Sequence, residues 1–238
     1  MIGVGAHPMV AALTALPGAP GPAPNPWFSW AYLTANVDTL ARAAREHLLI
    51  TAASVLLACL LSIPLALLVR RLPRLQVPVL AVAGLLYTIP SMALIAGLWP
   101  WLGLSPWTVI AALTLYALLV ILRNVLVGLD LTPPEVMDAA RGLGYTSGQL
   151  LWRVQLPWAT PTIMAGIRIA TVSTVGLVTI GALVGHGGFG TIILGGFVSN
   201  FYHAQIMAGT IAVIALALLL EAALVLTERT LTPWRERT

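Results

Sequence analysis

Five stretches of the chain stay apolar for about twenty residues or more, and polar or proline-rich connections separate them. At roughly 1.5 Å per helical residue, about twenty residues cross a bilayer core of about 30 Å. Residues 48–69, 77–99, 107–127, 159–184 and 204–226 therefore predict five membrane-spanning helices. Thr88-Ile89-Pro90-Ser91 interrupts the second span, and a proline there removes a backbone donor and predicts a kink. Pro64 predicts a similar bend in the first.

Ahead of the first span, residues 27–47 carry Trp27, Trp30, Tyr32, Val37, Leu40 and Ala44 among polar positions. That mixture predicts an amphipathic segment lying at the membrane surface. Residues 1–26 are rich in Gly, Ala and Pro and are expected to form a disordered arm. The apolar run at 9–16 is short and no basic residue precedes it, so it makes a poor signal peptide. Residues 227–238 form a polar tail after the last span.

Composition turns this pattern into a class. Hydrophobic residues make up 59% of the chain and charged residues 8%, against roughly 25% charged in soluble domains. So few charges do not cover a soluble surface, whereas lipid solvates the excess apolar area. All twelve basic residues are Arg. Without a lysine there is no P-loop and no Schiff-base chemistry. The net charge of +4 is dispersed between apolar segments and does not mark a nucleic-acid surface. Cys59 stands alone in an apolar run, which leaves no intrachain disulfide and no multi-cysteine metal site.

The arginines also predict orientation. With the first span running outside to inside, Arg70, Arg71, Arg74, Arg123, Arg141, Arg153, Arg229, Arg235 and Arg237 face the cytoplasm. Only Arg42 and Arg45 fall outside. Positive charge concentrates on the cytoplasmic side of membrane proteins, so the N-terminus is expected outside and the C-terminus inside. Trp27, Trp30, Trp99, Trp101 and Trp107 then form one interfacial belt, and Trp152, Trp158 and Trp234 the other.

The connection at 129–158 is long for a link between membrane helices. Thr132-Pro133-Pro134-Glu135 has the pattern of a capping box with proline at the first helical position. Val136, Ala139, Ala140 and Leu143 recur at helical spacing, and Gly144 suits a left-handed stop. Thr146-Ser147-Gly148-Gln149 starts a second helix that Leu156-Pro157 is expected to end. The loop therefore predicts a helix–Gly–helix unit whose small, acidic face suits a protein groove better than lipid.

These residues carry a resemblance. Asp138-Ala139-Ala140, three residues, Gly144, nine residues, then Val154-Gln155-Leu156-Pro157 resembles the EAA loop of ABC importer permeases, with Asp in place of Glu and Val in place of Ile. Tyr87-Thr88-Ile89-Pro90-Ser91-Met92-Ala93-Leu94, Ala139-Ala140-Arg141-Gly142-Leu143-Gly144, and the run from Ala165 through Arg168 to Gly176 resemble the osmoprotectant branch. So does Gly185-His186-Gly187-Gly188-Phe189-Gly190. That branch imports glycine betaine, carnitine and choline. The resemblance implies an all-α membrane protein, a five-helix type I ABC importer transmembrane domain with a cytoplasmic coupling loop.

It also implies a location in the bacterial cytoplasmic membrane, and partners. These are a separate nucleotide-binding ATPase subunit, a second permease subunit (an identical copy or a paralogue) and an extracytoplasmic substrate-binding protein. Asp138, Ala139, Ala140, Arg141 and Gly144 would dock the loop on the ATPase, and Leu156 and Pro157 would fix where the loop meets the fourth span.

Two intramembrane charges, Arg168 and Glu221, fall in the cytoplasmic halves of spans four and five, where unpaired charge is expensive. A salt bridge between them is geometrically possible, and they read as a structural pair, as snorkelling charges or as part of a gate or pathway. His186 and His203 lie in or beside the outer loop as solvated residues; two histidines without a third ligand do not make a metal site. No pattern calls for a cofactor. Tyr87 and Trp107 offer aromatic faces for a quaternary ammonium, but such residues are more often packing or belt residues and stay unassigned. Another solute, such as an amino acid, stays open as cargo. A channel or a membrane enzyme lacks support, since neither a filter-like element nor a carboxylate–histidine cluster is present in the sequence.

Overall fold

A computed structural model describes residues 25–233, all of whose regular elements are helical. The expected arm falls outside them except for its last two residues, 25 and 26, as do the last five residues of the tail. A short helix, α1 (Trp30–Ala35), is capped by the Ser29 hydroxyl, which accepts from the Tyr32 N–H at 3.1 Å. Then α2 (Val37–Arg71) runs for 35 residues without a break.

This corrects the expected surface segment. Residues 37–47 form the opening turns of α2, because Ala43, His47, Ile50, Ser54 and Ala58 make one continuous buried face at helical spacing. Arg42 and Arg45 lie exposed on the other face, which is why the segment looks amphipathic in isolation. Buried His47 has both ring nitrogens occupied. Nε2 lies 2.9 Å from the Val175 carbonyl, and Nδ1 accepts from the Phe189 N–H at 3.3 Å. A carbonyl on one side and an N–H on the other select the neutral Nε2–H tautomer.

The second span is broken rather than kinked. After a 3₁₀ turn (Pro73–Leu75), α3 (Gln76–Thr88) and α4 (Ser91–Leu102) meet at Ile89-Pro90 with a bend of 99°. The central helix is α5 (Pro106–Asp130), buried on most of its circumference. It runs parallel to α2. Ser54 Oγ donates to the Ile110 carbonyl at 3.4 Å, Ser62 Oγ to Leu118 at 3.1 Å, and Arg70 meets Asp130 at 3.3 Å. Two parallel helices need one return crossing between them, and the α3–α4 pair supplies it. Among the described residues four uninterrupted helices are thus long and apolar enough to span, and the bent pair makes a fifth crossing.

Beyond α6 (Pro134–Gly142), a continuous helical run extends from Ser147 to Val184. It comprises α7 (Ser147–Leu150), a π turn (Leu151–Gln155), α8 (Leu156–Val178) and a 3₁₀ end (Thr179–Val184). Leu156-Pro157 therefore does not end the loop helix. Pro157 has no N–H for a carbonyl one turn back, and the wider π turn accommodates the missing bond and the ring. Antiparallel to α5, α8 packs through small residues; a methyl group on Gly166 would collide with Asn124.

Within the expected outer loop lies α9 (Phe189–Val198), at ten residues too short to cross. It turns through Asn200 and Phe201, both at positive φ, into α10 (His203–Leu231). The glycines around the start of α9 are fitted by contact. A methyl group on Gly190 would run into the Thr179 backbone, whereas one on Gly84 of α3 would meet nothing within 4 Å. Gly190→Ala should destabilise the protein by about 1–3 kcal/mol, the usual cost of overpacking. Gly84→Ala should be neutral or stabilise by up to about 1 kcal/mol through helix propensity. Thermal unfolding of the detergent-solubilised protein compares the two, and equal midpoints would show that the α9 junction is not tightly packed.

The two histidines are not simply solvated. His186 Nδ1 lies 3.1 Å from a Glu46 oxygen. The His203 ring stacks on Trp27 at 4.1 Å, and its backbone N–H donates to Asn25 Oδ1 at 2.8 Å. Both therefore tie the segment around α9 to residues 25–46.

Candidate functional site

The end of the bundle that carries Arg70, Arg71, Arg141, Arg153 and Arg229 also carries the long loop. There α6 is a nine-residue helix with Pro134 at its start. Its cap differs from the sequence expectation. Pro133 occupies the cap position with no side-chain bond, and the buried Thr132 hydroxyl has no partner among the described residues. The capping box of this loop stands at Thr146 instead. Its Oγ1 accepts from the Gln149 N–H at 3.4 Å, and Gln149 Oε1 accepts from the Thr146 N–H at 2.8 Å.

At its other end, α6 closes in a Schellman turn. Gly144 has φ of +82°, its N–H donates to the Arg141 carbonyl at 2.9 Å, and the Tyr145 N–H donates to Ala140 at 3.1 Å. Glycine takes that backbone conformation without a Cβ penalty. The turn folds α6 back on the helix that follows. Ala140 is buried against Leu150 and Val154, with Val136, Met137 and Tyr145 around them. Asp138 and Ala139 point outward, and Asp138 pairs with Arg141 one turn on, at 3.0 Å, both largely exposed. Leu143, 77% exposed, sits at the tip. Glu135, Ala139, Leu143 and Tyr145 border a shallow groove of about 430 Å³. Glu135 and Arg153 flank the groove's small and apolar lining, and the Asp138–Arg141 pair stands on the same short helix.

Leu156 and Pro157 lie away from this tip, at the junction of the π turn with α8. What joins the loop to the bundle is Arg70, which the motif does not contain. Its guanidinium reaches Asp130 at 3.3 Å and Gln155 Oε1 at 3.3 Å, and so ties the end of α2 to both roots of the loop. Nothing in the local sequence pattern marks Arg70 for that role, because the contacts span 60 and 85 positions of chain.

A second polar cluster lies within the bundle. Arg168 of α8 donates from Nε to Glu221 Oε1 of α10 at 2.9 Å, and its Nη2 reaches the same oxygen. Its Nη1 donates to Glu228 Oε2 at 3.0 Å. The structure thus brings Arg168 and Glu221 together and adds Glu228, which the sequence reading places in the tail. A signal was available, since residues seven apart share a helix face. Arg168 and Glu221 border an apolar groove of about 560 Å³ lined by Ala165, Ile169, Val172 and Leu218.

The described residues form a helical bundle with one broken crossing and a long helical loop at its arginine-rich end. Residues 41–232 match the family described as binding-protein-dependent transport system inner membrane component, and the chain belongs to that family. Among its relatives is the carnitine transport permease protein OpuCB of Listeria monocytogenes, 37% identical over 79% of this chain and 86% of that one. The osmoprotectant import permease protein OsmW of Salmonella typhimurium is 37% identical over 85% and 96% of the two chains. The glycine betaine/carnitine/choline transport system permease protein OpuCD of Bacillus subtilis is 35% identical over 87% and 90%. Among solved structures, the fold matches an inward-facing form of the MetNI methionine ABC transporter. The TM-score is 0.75 at 24% identity, covering 83% of this chain and 98% of that one.

Proposed function

We propose that this chain is the permease subunit of an ATP-driven importer for quaternary-amine osmoprotectants such as glycine betaine, carnitine and choline. The observation that carries the cargo is the likeness to permeases named for those solutes, over most of both chains. It favours them over an amino acid, since the methionine transporter shares the fold at only 24% identity. Two permease subunits, identical or paralogous, pair in the membrane with the arginine-rich end in the cytoplasm. ATP is hydrolysed on a separate subunit that receives α6 in a groove, and a substrate-binding protein delivers cargo from outside.

Coupling is mechanical in this reading. Asp138, Ala139 and Leu143 are exposed on a short helix that the Gly144 turn and the Ala140–Leu150–Val154 contact hold rigidly. The helix that follows runs unbroken from Ser147 to Val184. Motion of α6 is therefore passed to α8 as rigid-body displacement. Co-expression with an ATPase subunit and a substrate-binding protein of this transporter class, reconstitution into vesicles and uptake of labelled choline, glycine betaine and carnitine test the whole reading. ATP-dependent accumulation of these and not of methionine is the expected result. Accumulation of an amino acid alone would overturn the cargo, and uptake without ATP would overturn the class.

A further inference from the structure

Three arginines from separate elements converge on one pocket at the end of the bundle that carries the long loop. Arg70 and Arg71 close α2, and Arg141 comes from the last turn of α6. The π turn that leads into α8 supplies Leu151 and Trp152. The pocket holds about 400 Å³, and no carboxylate lines it.

Charge is not balanced there. Arg70 meets Asp130 at 3.3 Å, and Arg141 meets Asp138 at 3.0 Å, from outside the lining. Among the described residues no carboxylate pairs with Arg71, which is exposed. With both pairs counted as neutral, one full positive charge remains. Arg70 is also held by Gln155 Oε1 at 3.3 Å, so a fixed guanidinium stands beside the free one.

The same pocket changes from basic to apolar along α2. Leu67 lies one turn back from Arg71 on the same helix face, on the side of the apolar span. Leu151 adds to that apolar side, and Trp152 is 70% exposed. Indole rings of this kind settle at the headgroup level of a bilayer. A soluble anion would use the arginines and leave the leucines and the indole without a role. A phospholipid uses all of them, since its phosphate and its chains lie at successive depths.

We infer that this pocket holds an anionic phospholipid from the leaflet at the arginine-rich end. Its phosphodiester lies among Arg71, Arg70 and Arg141, and its chains run along Leu67 and Leu151. A phosphodiester carries one negative charge, which Arg71 balances, and a guanidinium matches phosphate oxygens in pairs. Basic pockets between membrane helices recognise lipid headgroups in this way. Phosphatidylglycerol fits the charge, whereas phosphatidylethanolamine brings a second cation among the arginines. Bound lipid bridges the end of α2 to α6 and so adds to the Arg70 clamp. The site stands apart from the proposed cargo and holds whichever solute is carried.

The test uses the full-length chain in a neutral detergent, titrated with phosphatidylglycerol or phosphatidylethanolamine, with bound lipid counted by native mass spectrometry. One phosphatidylglycerol should bind about five-fold more tightly than phosphatidylethanolamine. Arg71→Gln should weaken it about five-fold, the usual worth of one basic residue against anionic lipid. Arg71→Lys should stay within about two-fold. Arg229→Gln, at the same end but outside the pocket, should change nothing. Equal affinity for the two lipids would overturn the site. So would an equal loss in Arg71→Gln and Arg229→Gln, which would place the effect in the general positive field. Inorganic phosphate should leave the lipid in place; displacement would assign the pocket to a soluble anion and overturn the proposal. Lipid should also stay bound after assembly with an ATPase subunit. Its expulsion would make the pocket a protein contact and overturn the proposal as well.

Discussion

Gly144→Val should cut transport at least ten-fold while ATP hydrolysis by the assembled complex continues. The cause is backbone conformation rather than crowding. A Cβ at Gly144 would meet nothing within 4 Å, yet φ is +82°. A β-branched residue pays on the order of 1–2 kcal/mol in that region, enough to favour another ending for α6. The Schellman bonds from Gly144 to Arg141 and from Tyr145 to Ala140 would then open. Asp138 and Ala139 would lose their fixed position over Leu150 and Val154. Asparagine tolerates left-handed backbone, so Gly144→Asn should keep most of the uptake. Parallel measurements of uptake and phosphate release decide the matter. Coupled transport by Gly144→Val would mean that this turn does not set the position of the loop.

Arg168→Gln should have the other large effect, on assembly of the subunit in the membrane. The guanidinium is shared by Glu221 and Glu228, and its removal takes the cation away from the Glu221 carboxylate beside an apolar groove. Breaking such a pair from one side costs on the order of 3–5 kcal/mol, whereas replacing all partners together can be nearly neutral. The single variant should yield several-fold less folded protein by size-exclusion chromatography. The triple variant Arg168→Gln, Glu221→Gln, Glu228→Gln should restore most of it. Normal yield from the single variant would show that the triad does not hold α8 to α10. If the triple variant folds but transports poorly, the charges act in the transport cycle as well as in packing.

The long apolar runs and the spaced loop motif were legible in the sequence because both are local. Twenty apolar residues admit a crossing whatever lies next to them, and turn residues such as Gly144 act through their own backbone. The excess of arginines at one end was legible for the same reason, since it requires only counting along the chain. Glycine and proline signals were less complete. Thr132 looked like a cap, but Pro133 moved the helix start by one position and left the Thr132 hydroxyl without its expected partner.

Tertiary structure decided everything that depends on distant partners. Residues 37–47 became part of α2 because buried neighbours from α8 and α9 continue its inner face past the surface signal. Pro157 joined two helices instead of ending one, because a π turn takes up the missing bond. Arg70 became the clamp of the loop, and Glu228 the third member of the triad, through contacts made only after the helices pack. The sequence by itself determined that this protein crosses a membrane and carries a long helical loop at its arginine-rich end, because burial in lipid and backbone turns are properties of short segments. Which charges meet, and which face of each helix is buried, are properties of pairs of helices, and only the packed bundle sets them.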